Sequence, residues 1–162
     1  MSQNLSEQLR TVALLGHGAV GKTTLAESLL AATGAITSRG SVEKGNTVCD
    51  FDPVEKQIGH SLQSSVVSLE SAGTRIHVID TPGYPDIVGK ATGALAAVET
   101  ALIVISAQTG IELMTERMFA AAGERGLCRM LVINKIDSDN IDLSALVADI
   151  RERFGKQCLL LD

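Results

Sequence analysis

Residues 16–23 have the pattern of a loop that binds phosphate groups. They read GHGAVGKT and match G-x-x-x-x-G-K-[ST]. Glycines let successive backbone N–H groups curl around phosphate oxygens at the positive end of a helix, while Lys22 supplies charge and the Thr23 hydroxyl reaches magnesium. An apolar run before the loop and helical spacing after it disfavour the alternative, a glycine-rich turn beside a surface lysine. The residues expected to bind the phosphates are Gly16, His17, Gly18, Ala19, Val20, Gly21, Lys22, Thr23 and Thr24.

A second candidate segment, Asn134-Lys135-Ile136-Asp137, follows another apolar run. Its residue types predict selection of a guanine base, because the Asp137 carboxylate can accept hydrogen bonds from the guanine ring N–H and amino group, whereas adenine presents an acceptor at the ring position. Sites built around such donors reject an analogue that lacks them by about 10⁴-fold or more. We expect the Lys135 stem to cover the base and Asn134 to tie this segment to the phosphate loop. The alternative is a polar loop that merely ends a strand.

A third segment, Asp80-Thr81-Pro82-Gly83, lies between the other two and ends a predicted strand. Asp80 is placed to hold a water of a magnesium ion, and the Gly83 N–H is placed to donate to a terminal phosphate. The alternative is an ordinary Pro-Gly turn. The sequence therefore predicts Asp80 as a nucleotide and metal ligand, and Gly83 and Lys22 as groups that stabilise the reacting phosphate.

Apolar strands that alternate with amphipathic helices must position these segments. Strands are predicted at 11–15, 62–70, 75–80, 102–106, 131–133 and 158–161, and helices after residue 21, over roughly 87–98, around 114–121 and over 143–154. Crossover connections of this kind predict a three-layer α/β domain with a mainly parallel sheet, to which 62–70 and 75–80 add one antiparallel edge hairpin. Residues 35–60 show no sustained period and are predicted to form a long functional loop. Ligands of such sheets bind beyond the carboxyl ends of the strands.

Composition limits the partners that this chain can have. Its 162 residues suit one domain, which we place at 11–162 after a flexible N-terminal tail at 1–10. A net charge of −5 and an aromatic content of 2% disfavour direct binding to DNA or to an anionic membrane. Three cysteines without a CxxC spacing favour a reducing, cytoplasmic location over a disulfide framework. We expect a monomer.

Taken in order, GHGAVGKTT, the long loop, DTPGY and NKID resemble a translational GTPase of the elongation factor G family. Asp50-Phe51 in the long loop and the segment from Ala107 to Glu112 are similar to the corresponding parts of that family. The resemblance covers nearly all of residues 11–161. It implies the Ras-like P-loop fold, binding and hydrolysis of GTP with Mg²⁺, GDP as the product, and stimulation by the ribosome.

Departures from the family pattern fall at catalytic positions. Ile58-Gly59-His60-Ser61 stands where the family has Arg-Gly-Ile-Thr, and Ser61 retains the hydroxyl expected to reach the metal. Tyr84 stands where the family has a histidine that positions the attacking water. Because a phenol is neutral at pH 7 and cannot become a cation, intrinsic hydrolysis is expected to be slow, with Tyr84 as the candidate for orienting water. With these changes the chain resembles the elongation factor G-like paralogues most closely.

The fifth guanine motif of the family is expected to be missing. Ser144-Ala145-Leu146 spells it, but inside a predicted helix, so we interpret it as a decoy. The domain is accordingly expected to be truncated before the true motif. Two alternatives to a GTPase remain open at this point: a nucleotide-binding switch with little hydrolysis, favoured by Tyr84, and a P-loop ATPase or kinase, disfavoured by NKID.

Overall fold

A five-stranded sheet lies at the centre of the computed structural model, which describes residues 8–161. The strands are β1 (Leu9–Leu15), β2 (Ser65–Ser71), β3 (Thr74–Asp80), β4 (Thr100–Ser106) and β5 (Cys128–Asn134). They lie in the order β2-β3-β1-β4-β5. The β2–β3 pair is antiparallel and the other neighbours are parallel, so the predicted mainly parallel sheet with an antiparallel edge hairpin is confirmed.

Within residues 8–161, five α-helices accompany this sheet. They are α1 (Lys22–Ala32), α2 (Pro53–Ile58), α3 (Val88–Ala94), α4 (Leu113–Glu124) and α5 (Leu143–Phe154). Short 3₁₀ segments, Pro85–Ile87 and Leu95–Ala97, flank α3. The predicted helix over 87–98 is therefore a shorter α-helix with a 3₁₀ turn at each end.

The alternation of side chains along β1 produces the three layers. Ala13 and Leu15 face one side of the sheet and pack in a cluster with Met114 and Met118 of α4. Leu14 points to the other side, where it packs in a cluster with residues of α1 and the hairpin. A third cluster joins β4 to α5 through Ile105, Leu146, Ile150 and Phe154. Helices thus cover both faces, as a parallel sheet requires.

The edge hairpin owes its register to its turn. Ser71 pairs with Thr74, and the two intervening residues, Ala72 and Gly73, have φ values of 49° and 75°. Two consecutive left-handed residues are typical of a type I′ turn, whose twist matches that of antiparallel strands. The turn pairs β3 with β2, and the opposite edge of β3 pairs with β1, which places Asp80 opposite Leu14 next to the phosphate loop.

Two predictions about elements were wrong in part, and a third was wrong. β1 begins at Leu9, so Leu9 and Arg10 belong to the sheet rather than to a flexible tail, while residues 1–7 of that predicted tail lie outside the described part. The loop over 35–60 contains α2, which the Asp52 side chain caps and whose six residues are too few to show a period. The predicted strand at 158–161 does not form, because the Cys158 N–H closes a turn onto the Gly155 carbonyl instead of a sheet ladder.

The strand registers bring the predicted site segments to one edge of the sheet. Leu14 pairs with Asp80, and Ser106 pairs with Asn134. The loops after β1, β3 and β5 therefore leave the sheet side by side, at its carboxyl edge. Within residues 8–161, no helix combines the length and apolarity that a bilayer crossing needs.

Candidate nucleotide-binding site

Lys22 is held in place by the loop that precedes it. Its ammonium group donates hydrogen bonds to the Gly16 carbonyl at 3.2 Å and to the His17 carbonyl at 2.6 Å, and the residue is 6% exposed. Burial lowers the pKa of Lys22 to about 8, although the charges of Asp80 and Glu112 oppose that shift. A cation fixed in this way loses little side-chain entropy when it meets a phosphate.

The phosphate loop approaches the NKID segment closely. Gly21 has a φ of 94°, and a Cβ atom there would collide with the Asn134 side-chain nitrogen. Asn134 Nδ2 donates to the Val20 carbonyl at 2.9 Å. The structure therefore shows the tie between these two segments that the sequence predicts.

A cleft of about 300 Å³ opens beside the phosphate loop and gathers most of the predicted site residues. Its lining includes Lys135, which has a φ of 59°, from the NKID segment. Asp137 lies on the exposed turn that follows β5 and does not line this cleft. The predicted residues in the lining are Gly18, Ala19, Gly21, Lys22, Thr23, Thr24, Ser61, Gly83, Tyr84 and Lys135.

A chain of hydrogen bonds joins the phosphate loop, β3 and the long loop. Thr23 Oγ1 donates to Asp80 Oδ2 at 2.6 Å and lies 3.3 Å from Ser61 Oγ. Ser61 Oγ donates to Asp50 Oδ1 at 2.7 Å, and Thr47 Oγ1 donates to Asp50 Oδ2 at 3.0 Å. The three predicted metal-binding residues, Thr23, Ser61 and Asp80, are thus adjacent.

Asp80 is the most deeply buried carboxylate of this group, at 1% exposure. Burial raises its pKa to about 6, while the Thr23 hydrogen bond and the Lys22 charge act in the opposite direction. Its second oxygen, Oδ1, is shielded from solvent and has no hydrogen-bond partner within the described residues. A buried acceptor without a partner is typical of a position that a ligand completes.

Tyr84 forms a wall of the cleft by packing between two segments. Its ring lies so close to Gly18 that a Cβ atom at Gly18 would stand 2.8 Å from Tyr84 Cζ. On the other side, the Tyr84 and His60 ring centroids are 4.5 Å apart with an interplanar angle of 45°. The neighbouring Gly83 is equally confined, because a Cβ atom there would collide with Lys22 Nζ and the His17 carbonyl.

Four polar residues at or near this site escaped the sequence analysis as site residues. Glu27, fully buried in α1, accepts the backbone N–H groups of Gly40 at 2.8 Å and Val48 at 2.5 Å and so anchors the long loop. In the sequence, Asp50 stands out only through its family resemblance, His60 only as a departure from the family pattern, and Glu112 only as part of a family-like segment. Glu27, Asp50 and His60 belong to no local motif and act through contacts that form only in the fold, and the contact of Glu112 with His17 likewise forms only in the fold.

Glu112 connects the phosphate loop to α4. Its carboxylate lies 3.6 Å from His17 Nε2 and also caps α4, through a reciprocal pair of hydrogen bonds with Thr115. The His17 ring packs here with a solvent-shielded Nδ1 that has no partner in the described part of the chain. His17 thus supports the loop from behind and is absent from the cleft lining.

Comparison with known proteins agrees with this site. Residues 7–160 match the elongation factor Tu GTP-binding domain family. The chain is 38% identical over 149 residues to the tetracycline resistance protein TetM from transposon Tn916 of Enterococcus faecalis, and 36% identical to TetW of Butyrivibrio fibrisolvens. Each alignment covers 92% of this chain and 23% of the relative, so the chain spans less than a quarter of the length of these proteins.

Solved structures show the same fold. A crystal structure of a Thermus thermophilus protein is similar with a TM-score of 0.88 and 43% identity, covering 91% of this chain and 22% of that one. The bacterial selenocysteine-specific elongation factor EF-Sec has a TM-score of 0.69 at 24% identity and supports the fold alone, over 90% of this chain and 22% of that one. The predicted P-loop fold, the resemblance to translational GTPases and the prediction of guanine nucleotide binding are confirmed. This chain belongs to the elongation factor Tu GTP-binding domain family.

Proposed function

We propose that this chain is the GTP-hydrolysing switch of a longer, elongation factor G-like protein that acts on the ribosome. The contact between Thr23 and Asp80, at 2.6 Å with Ser61 beside it, carries the proposal. It joins three segments that are far apart in sequence at the point where the terminal phosphate of GTP is expected.

Nucleotide binding is assigned to residues of the phosphate loop and of the NKID segment. Lys22 faces the outer phosphates, and the backbone N–H groups of the loop over 16–24 surround them. Asp137 selects guanine, Lys135 covers the base, and Asn134 keeps the two segments in register through the Val20 carbonyl.

The residues around Asp80 fit a magnesium ion. The hydroxyls of Thr23 and Ser61 and the unpartnered Oδ1 of buried Asp80 supply oxygen atoms, the donor type that Mg²⁺ prefers, and such sites use only one or two carboxylates. In this assignment Thr23 and Ser61 would bind the ion directly and Asp80 would hold it through a water molecule. When bound, the ion would neutralise charge on the phosphate oxygens.

Hydrolysis is assigned to Tyr84, Gly83 and Lys22. The Tyr84 hydroxyl orients the attacking water, while the Gly83 N–H and the Lys22 ammonium stabilise the charge that develops on the terminal phosphate. A GTPase of this general mechanism without an activator turns over at about 10⁻⁴ to 10⁻³ per second, so slow intrinsic hydrolysis is expected.

The long loop supplies the conformational change. Asp50 holds Ser61, and Glu27 fixes the long loop at Gly40 and Val48. Binding of GTP and its metal ion at Ser61 therefore orders the end of a loop that is already anchored at two other points. Loss of the terminal phosphate removes the contact at Ser61 and lets the segment relax.

One observation favours a second candidate, a switch that binds GTP without useful hydrolysis. Tyr84 is confined between Gly18 and His60, an arrangement that restricts its freedom to align water. Under this alternative the bound nucleotide orders the long loop and product formation is negligible even on the ribosome.

We assign the protein to the cytoplasm as a monomer. The free thiols of Cys49, Cys128 and Cys158 support a reducing compartment, and the net charge of −5 is unsuited to DNA or to an anionic membrane as a partner.

Displacement of a fluorescent GDP analogue tests the binding assignment. GTP and GDP should displace it and ATP should not. EDTA should lower the affinity for GTP more than the affinity for GDP. Equal displacement by ATP would remove the role given to Asp137. Single-turnover hydrolysis with and without ribosomes then separates the candidates, because phosphate release that ribosomes accelerate supports the GTPase, whereas its absence supports the non-hydrolysing switch.

A further inference from the structure

The backbone on both sides of His60 is fixed, by a helix end before it and by buried carboxylates after it. Before it, Gly59 ends α2 with a φ of 73°. After it, Ser61 is held by Asp50, and Glu55 Oε1 accepts the N–H groups of Leu62 at 2.8 Å and Gln63 at 2.9 Å. Glu55 itself is 2% exposed. The position of His60 is therefore dictated by its neighbours rather than left to a mobile loop.

The His60 ring extends the wall of the cleft that Tyr84 forms. Gly18 of the phosphate loop supports Tyr84, and Tyr84 supports His60. His60 lines the cleft together with Lys22 and Gly83, the two groups assigned to the terminal phosphate. Only two basic side chains of the described residues, Lys22 and Lys135, share this lining, and neither is an arginine.

One of the two ring nitrogens of His60 is not satisfied by the protein. Its Nδ1 is shielded from solvent and lacks a hydrogen-bond partner in the part of the chain that the structure describes. An unsatisfied buried ring nitrogen is costly, so an apolar residue would serve better if packing against Tyr84 were the sole task. The imidazole therefore lines the cleft beside the groups assigned to the terminal phosphate, and one of its ring nitrogens has no protein partner.

We propose that His60 donates a hydrogen bond from its imidazole ring to the terminal phosphate of GTP and so helps the chain to distinguish GTP from GDP. This inference rests on the proposed function. It makes His60 a specificity-determining residue, distinct from Ser61, whose hydroxyl is assigned to the metal.

Two substitutions separate hydrogen bonding from packing. His60→Phe keeps a ring against Tyr84 but has no donor, whereas His60→Gln keeps a donor without the ring. The control is His77→Phe, because His77 lies on β3 and its Nδ1 already bonds to Ser68 Oγ at 2.6 Å. For each variant the affinities of GDP and of a non-hydrolysable GTP analogue are measured by displacement of a fluorescent GDP analogue, with thermal unfolding as the test of folding.

His60→Phe is expected to lower the affinity for the GTP analogue, relative to the affinity for GDP, by roughly 10- to 100-fold. This is the factor that corresponds to one hydrogen bond to a charged group. His60→Gln should recover most of that ratio and His77→Phe should leave it unchanged. An unchanged ratio in a folded His60→Phe variant overturns the inference while leaving GTP binding intact. If the wild-type chain binds neither nucleotide, the proposed function itself fails.

Discussion

The Tyr84 ring lies directly against the backbone of Gly18, so closely that a Cβ atom at Gly18 would stand 2.8 Å from Tyr84 Cζ. This contact couples the phosphate loop to the residue assigned to the attacking water. Gly18 does not lie in the left-handed region, so an alanine there would act through space rather than through backbone strain.

Gly18→Ala is therefore expected to displace Tyr84 and to lower single-turnover GTP hydrolysis roughly 10- to 100-fold, because a misplaced catalytic group is worth about that much. GDP affinity should stay within a few-fold of wild type. In a Tyr84→Ala background the same substitution should cost little more, since the displaced group is already gone. Additive losses in the double variant would contradict the coupling.

Asp80→Asn is expected to stabilise the metal-free, nucleotide-free chain at pH 8. Burial raises the pKa of Asp80 to about 6 from an ordinary value of 3.8. Protonation of Asp80 therefore stabilises the folded state, an effect that is fully present below pH 3.8 and is lost as the pH rises through 6. The ionised carboxylate at pH 8 thus costs about 2–3 kcal/mol of unfolding free energy, which a neutral amide avoids.

Urea unfolding in EDTA at several pH values measures this effect. The advantage of Asp80→Asn should be largest at pH 8 and shrink as the pH falls through 6 toward 4. Asp52→Asn, which preserves the cap of α2, serves as the control and should show no such trend. A constant difference across the range would mean that burial does not govern the charge of Asp80.

Glu27→Gln is expected to release the long loop without unfolding α1. One amide oxygen can replace one carboxylate oxygen, but the amide NH₂ then faces the N–H of Gly40 or Val48, so the loss should be about 1–3 kcal/mol in unfolding free energy. Hydrogen exchange should accelerate at residues 40 and 48 and stay slow within α1. Glu70→Gln, which breaks an exposed ion pair with Arg75, should cost less than about 1 kcal/mol.

Asp137→Asn is expected to change the base preference from guanine to xanthine. The reason is that an amide can donate a hydrogen bond to the oxygen that xanthine carries in place of the guanine amino group. Competition between GDP and XDP for a labelled nucleotide should shift by roughly 100-fold or more. The nearby, equally exposed Asp139→Asn provides the matched control. Unchanged guanine affinity in Asp137→Asn would count against the assigned role.

The phosphate loop, Asp80 and the contact between Asn134 and the phosphate loop were predictable, because each belongs to a short motif of fixed spacing at the end of a strand. The sheet was predictable for the same reason, because buried strands are short apolar runs and amphipathic helices repeat their apolar residues every three or four positions. α2 could not be predicted from six residues. The stack of Gly18, Tyr84 and His60 depends on three separate segments, and the apolar run at 158–161 matches a strand pattern but finds no sheet partner.

The stack also gives the chain an optical property. Tyr84 is the single tyrosine and the chain has no tryptophan, so emission excited at wavelengths that phenylalanine does not absorb arises from one ring, held between the phosphate loop and an imidazole. Any event that separates those surfaces alters the surroundings of the only strong fluorophore present. Tyrosine emission from this chain can thus report the state of its cleft in real time, without an attached dye.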